Sequence, residues 1–232
     1  MYYVTNFRDR LGDLHQNIDI CKLAVSCFPV QKELDKSDVM IICGDAGLVW
    51  DSSNEDKYWQ KWLNEKNFTT FCCLGNHECY PLINEYPVVE IFGGKARQIQ
   101  SSVFYAVSGE IYTINGKKML FINGTDSHDK EWRTEGKSWW PQEQITEAEI
   151  DNALENLSGH NFQVDYIISH TGGSEVCRQL GFVPTVSDKM LDRVLEIARY
   201  SEHYLGHHHL DKWIDKSRII YNDIIEIRGD KD

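Results

Sequence analysis

Apolar residues fall along this chain in short runs that stop abruptly at glycine and polar residues. Val39–Cys43 (VMIIC) is near-continuously apolar, as strands of a parallel sheet are. Thr69–Leu74 (TTFCCL) and Val164–Ser169 (VDYIIS) read as further core strands, and Tyr2–Thr5 as a shorter β-rich run. Between the first three strands lie helical patterns. Ile18–Phe28 has helical apolar spacing, and Glu55–Glu65 places Tyr58, Trp59, Trp62 and Leu63 on one side. This β-α-β-α-β order implies parallel strands joined by right-handed crossovers.

The pattern then changes. Glu110–Ile114 and Lys117–Ile122 flank Asn115-Gly116, a strong hairpin signal. A polar, tryptophan-rich stretch runs from Asn123 to Glu143. Ile145–Leu157 and Met190–Arg199 read as helices. The end, with short runs at His203–Leu205, Lys212–Ile214, Ile219–Tyr221 and Ile224–Ile227, is antiparallel in character. The expectation is an α/β chain (α+β in some schemes) with two packed sheets in a sandwich flanked by helices. At 232 residues one domain over the whole chain, 1–232, suffices for a substantial core.

Composition narrows the function classes. A net charge of −12 argues against a general nucleic-acid backbone binder, which needs a basic face. It leaves room for a nucleotide, because bound cations reverse the local sign. No apolar run approaches the roughly 20 residues needed to cross a bilayer, and Met1–Thr5, followed by Arg8 and Arg10, does not resemble a secretory signal. The seven cysteines form no zinc-type pairs. Free buried thiols in a reducing cytoplasm are the simplest account, with Cys43, Cys72 and Cys73 in core strands and Cys21 and Cys27 on a helical pattern. No cysteine has a base beside it in the sequence, so none is expected to be a nucleophile.

Candidate chemistry concentrates in five polar clusters: Gly12-Asp13-Leu14-His15, Gly44-Asp45, Gly75-Asn76-His77-Glu78, Ser169-His170 and Gly206-His207-His208-His209. Four of them directly follow an apolar run. Asp13 and His15, like His207 and His209, are two apart and project the same way from an extended segment. Asp45 is placed to bridge two cations. The Asn76 carbonyl is a hard ligand, leaving His77 free to act as an acid, and His170 ends its strand. Oxygen and imidazole groups at successive strand ends are what a two-metal hydrolytic site needs. This ligand chemistry suits Mn, Fe or Zn better than Mg or Ca.

In this order the clusters GD-x-H, GD, GNHE, SH and GH-x-H resemble the calcineurin-like metallophosphoesterase superfamily, over residues 12 to 209. The resemblance implies a helix-flanked β-sandwich with a dinuclear site at strand ends. It implies that Asp13, His15, Asp45 and His209 hold one divalent ion, and that Asp45, Asn76, His170 and His207 hold the second. Two divalent ions, Mn or Fe and after them Zn, are the cofactors so implied. His77 matches the general acid that protonates the leaving alkoxide.

There are departures. Gln16 stands where many members have glycine. Asn6–Leu11 separates Asp13 and His15 from the first strand, and these six residues either loop out or extend the following helix backward. Leu48 and Val49 occupy the places where Ser/Thr protein phosphatases carry Asp and Arg, which disfavours that subgroup; Asp51 or Arg133 are the possible substitutes. Thr171-Gly172-Gly173 departs from the common proline-containing version. In Asp126–Glu143, Arg133 is a candidate phosphate contact, whereas Trp139 and Trp140 are expected to pack the segment onto the sandwich. The expected substrate is a small phosphate ester or nucleotide rather than a phosphoprotein, with no membrane partner, nucleic acid disfavoured and the oligomeric state left open. The alternatives are a nuclease acting on nucleic acid and a degenerate metal-binding scaffold.

Overall fold

The computed structural model of the chain describes residues 1–5 and 20–227. Its first elements are β1 (Tyr2–Thr5), β2 (Val39–Ile42), α1 (Asn54–Asn64), β3 (Thr69–Cys72) and α2 (Tyr80–Glu85). Then come β4 (Val88–Ile91), β5 (Gly94–Gln100), β6 (Val103–Ala106), β7 (Ile111–Ile114) and β8 (Lys117–Ile122). The remainder holds α3 (Glu147–Gly159), β9 (Tyr166–Ser169), α4 (Gly173–Gln179) and α5 (Val186–Leu195), followed by β10 (Glu202–Leu205), β11 (Lys212–Ile214), β12 (Ser217–Ile219) and β13 (Ile225–Ile227).

Among the described residues the strands form two sheets, ordered β13-β1-β2-β3-β6-β5-β4 and β11-β12-β10-β9-β8-β7. Strand periodicity divides the core into layers. Val39, Ile41 and Cys43 face the space between the sheets, where they meet Phe71, Phe104, Tyr112, Phe121, Ile168 and Tyr204. Met40 and Ile42 point the other way and are covered by Leu63 of α1, Phe68 and Ile83. On the second sheet Leu120, Ile122 and Ile167 face outward, beneath Ile150, Ala153 and Leu157 of α3 and Leu191 and Val194 of α5. The result is the expected helix-flanked sandwich, in which each central strand is apolar on both faces. No helix among the described residues is long and apolar enough to cross a membrane.

β1, β2 and β3 pair in parallel, in register from Val39 opposite Thr69 to Ile42 opposite Cys72. Asn115 and Gly116, at φ of +48° and +79°, turn the β7–β8 hairpin. Helix α1 starts at Ser53, whose side chain accepts from the Asp56 amide.

Several expectations need correction. Ile20–Phe28 is not an α-helix: a 3-10 turn at Ile20–Leu23 buries Ile20 and Leu23, further turns follow, and Pro29 starts a second 3-10 turn. Residues 18 and 19 lie outside the described residues. The helix expected at Met190–Arg199 begins at Val186, because Thr185 and Asp188 form a capping box, and it ends at Leu195. Beyond it the Arg199 carbonyl accepts from Val164, so the backbone there serves the sheet edge. The C-terminal strands are only partly antiparallel: β10 pairs in parallel with both β9 and β12, while β11 and β13 run antiparallel to their neighbours. Sequence patterning missed β4 to β6: β4 and β5 carry charged, half-exposed positions towards the sheet edge, and β6 is a buried run of only four residues. All seven cysteines are free, but Cys21 and Cys27 are exposed rather than buried.

Candidate active site

The four polar clusters among the described residues sit at the carboxyl ends of parallel strands. β2 leads into Gly44-Asp45, β3 into Gly75-Asn76-His77, β9 into His170 and β10 into Gly206-His207. Parallel pairing within each sheet carries these ends to one edge, and side chains then join the sheets across it. Asn123, just after β8, donates through Nδ2 to the Ala106 carbonyl at 2.8 Å. Its Oδ1 accepts from the Leu74 amide at 3.0 Å.

The backbone turns sharply to place the first carboxylate. Gly44 has φ +101° and Asp45 φ +54°, both in the left-handed region. A Cβ on Gly44 would lie 2.1 Å from His170 Nδ1, and one on Gly75 would lie 2.0 Å from Asp45 Oδ1. The two motif glycines therefore let three loops converge.

Asp45, Asn76 and His170 are all buried. His170 Nδ1 donates to the Cys43 carbonyl at 2.7 Å, which leaves Nε2 presenting its lone pair. Nε2 stands 3.1 Å from Asp45 Oδ2 and 3.2 Å from Asn76 Oδ1. Asn76 Nδ2 is committed to Ser127 Oγ at 3.1 Å, which turns the carbonyl oxygen inward. Three acceptors thus converge in a buried space, an arrangement that a bound cation satisfies. Among the described residues no three His, Cys, Asp or Glu side chains form such a group alone; the third atom here is an asparagine oxygen. The His207 ring meets His170 edge-on, centroids 5.1 Å apart. Burial, then the neighbouring His170 and His208, hold the His207 imidazole neutral well below its ordinary range, the form a metal ligand needs.

His77 is buried beside this set, and its backbone amide donates to Asp45 Oδ1 at 2.9 Å. Arg133 reaches it from the tryptophan-rich segment, with Nη2 2.7 Å from His77 Nδ1 and in contact with Nε2. The guanidinium is itself buried and held by Asp129 Oδ1 at 2.8 Å, the Asn76 carbonyl at 3.1 Å and Glu143 Oε1 at 3.8 Å. Glu143 also accepts from Ser127 Oγ, so one carboxylate supports both Asn76 and Arg133. Burial pushes its pKa up to about 7 against the pull of these bonds.

Asp45, Asn76, His77, His128, Asp129, Phe182 and His207–His209 line a cavity of about 290 Å³. A family model for calcineurin-like phosphoesterases matches residues 11–220. The chain belongs to the calcineurin-like phosphoesterase family. Its chemistry is thereby metal-dependent phosphoester hydrolysis. No curated protein matches the sequence.

In this phosphoesterase the structure brings together Asp45, Asn76, His77, His170, His207, His209 and Arg133. Asp13 and His15 lie outside the described residues. Leu48 and Val49 are fully buried in the core, so their positions supply nothing to the pocket. Asp51 is exposed on the loop before α1 and accepts from the Ser53 amide, whereas Arg133 contacts the His77 ring. Trp140 is buried edge-on against Trp50, the packing role expected of it. Ser127, Glu143 and Phe182 carried no sequence signal, since each matters only through a contact distant in the chain. Glu78 was visible within its motif but not its role: it is fully buried, accepting from Tyr105 Oη at 2.8 Å and the Gly47 amide at 3.3 Å.

Proposed function

We propose that this chain hydrolyses phosphate mono- or diesters of small molecules or nucleotides, with two divalent ions and His77 as general acid. The approach of Asp45 Oδ2 and Asn76 Oδ1 to His170 Nε2, at 3.1 and 3.2 Å, with each side chain oriented by a further bond, carries this reading. Asp45, Asn76, His170 and His207 would hold one ion. Asp45, with His209 and the sequence-predicted Asp13 and His15, would hold the other. When bound, such ions supply Lewis-acid charge at the phosphoryl oxygens and lower the pKa of a water nucleophile. Mn, Fe and Zn suit the nitrogen and oxygen donors.

The chain's own groups do the rest. Asp45 spans the centre of the site and fixes the His77 backbone at the same time. His77 hands its proton to the leaving oxygen. Arg133 donates to the His77 ring, which orients it, and adds a positive charge beside it that attracts the phosphate. The cavity of about 290 Å³ and the acidic net charge favour a small ester over long nucleic acid.

The test is metal analysis with turnover of a mono- and diester panel in the presence of Mn, including bis-p-nitrophenyl phosphate and its monoester. Two equivalents of metal and turnover support the proposal. No metal and no turnover would put the scaffold reading ahead. His77→Ala should lower turnover by about two to four orders of magnitude while sparing metal content.

A further inference from the structure

Beside the acceptor cluster the pocket carries an aromatic wall, of which the hydrolytic chemistry uses only His207. Phe182 stacks on His208, with centroids 5.8 Å apart and planes 12° from parallel. It faces His128 at 6.1 Å and 30°. His128 stacks on His207 at 5.2 Å, and His207 meets His208 edge-on at 5.2 Å. Four rings therefore close a circuit next to His170, and all four line the cavity that holds Asp45 and Asn76.

Single exposed apolar residues are ordinary, but two observations separate Phe182 from that case. It is 48% exposed yet turned onto imidazoles that line the pocket, whereas its neighbour Val183, 85% exposed, lines no part of it. Its backbone is also fixed. Gly181 takes φ +82° and the Phe182 amide donates to the Cys177 carbonyl at 2.8 Å, closing the end of α4. Three residues on, Thr185 caps α5 by accepting from the Asp188 amide and donates its hydroxyl to the Asp188 carboxylate, which also accepts from Cys177 Sγ at 3.2 Å and from Thr171, the residue after His170. One buried carboxylate thus ties the Phe182 turn and the His170 segment together. A preorganised apolar ring in a polar site is a stacking surface whose ordering cost is already met by the fold.

We propose that Phe182, backed by His128 and His208, is the specificity-determining surface of this site, on which a planar aromatic group carried by the phosphoester, a base or an aryl ring, stacks. The proposal rests on the phosphoesterase reading for the position of the phosphate, but its test does not depend on turnover. Binding of adenosine 5′-monophosphate and of ribose 5-phosphate, which lacks only the base, is measured by calorimetry on the Mn-loaded His77→Ala protein, where bound ester survives. The base should tighten binding about 5- to 150-fold, the range of stacking on one aromatic side chain. Adding Phe182→Ala should bring the two affinities together, and Phe182→Trp should restore the difference.

Equal affinities before that substitution, a difference that survives it, or no binding of either compound would overturn the proposal. A base preference lost in Phe182→Ala, in a protein whose wild type turns over no ester, would uphold the wall and refute the hydrolytic reading. Turnover without any base preference would do the reverse.

Discussion

Gly44 is held to glycine by its neighbour's ring as much as by its own φ. A methyl group there displaces His170 from the Cys43 carbonyl that sets its tautomer. Gly44→Ala should therefore weaken metal binding by about 10- to 100-fold, as loss of a group supporting a ligand does. The strained φ of +101° should also lower stability by about 1 kcal/mol or more. Metal titration and urea unfolding check both, and wild-type affinity would show that the ring does not depend on that contact. Glu78 makes a different kind of prediction. Burial first, then the Asp45 charge, push its pKa up to about 8, from an ordinary glutamate value of 4.5. The folded chain therefore keeps a proton that the unfolded chain releases. Stability from this group is complete below pH 4.5 and declines as pH rises to about 8, by at most about 1.4 kcal/mol per unit. In metal-free protein, Glu78→Gln should flatten the fall in stability across pH 5–8; an unchanged slope would show that Glu78 is not the group releasing the proton.

At the scale of elements, the site depends on how strand ends are stitched rather than on any helix. Asn123 joins the end of β8 to Leu74 after β3 and to Ala106 at the end of β6. The following amide, of Gly124, donates to the Leu74 carbonyl at 2.8 Å, immediately before Gly75-Asn76-His77. Asn123→Ala leaves the buried Leu74 amide and Ala106 carbonyl unmatched, at about 1–3 kcal/mol for each group. The expected result is a loss of about 2–6 kcal/mol in denaturant unfolding together with weaker metal binding, since Asn76 follows the loosened segment. A stability loss with unaltered metal affinity would separate the stitch from the site. Asp188 does similar work on the second sheet. Burial alone would raise its pKa, but bonds from Thr171, Thr185 and Cys177 outweigh that and hold the carboxyl below its ordinary value. It stays ionised above the usual carboxylate range, and its stabilising contribution is lost as pH falls through its lowered pKa.

Across the whole molecule, the proposed ligands come from both sheets: Asp45 and Asn76 follow β2 and β3, and His170 and His207 follow β9 and β10. An ion bound there links the two halves of the sandwich and adds stability by mass action, about 2.7 kcal/mol at a hundredfold excess over its dissociation constant. For a chain of this size that corresponds to a rise in Tm of roughly 5–11 °C. Mn titration followed by thermal unfolding should show a concentration-dependent Tm, and His170→Ala should abolish most of it. A metal-independent Tm in the wild type would refute an ion bridging the sheets. Much of this architecture was legible in the sequence. Runs such as VMIIC and TTFCCL must be buried on both faces, and glycine followed by Asp, Asn or His marks where they stop, so β2, β3, β9 and the Asp45, Asn76, His77 and His170 positions could be read locally. The parallel pairing of β10 with β12 and the half-exposed strands β4 and β5 could not, because pairing partners are chosen by sheet packing and half-exposed strands near an edge lack a strong apolar pattern. The same holds for Arg133 on His77, 56 residues apart, for Cys43 holding His170, 127 apart, and for the Phe182 wall. Residue type and spacing determined which groups stand at strand ends. Which atoms face one another there was decided by the packing of two sheets, since contacts across such separations follow only from the shape of the folded chain.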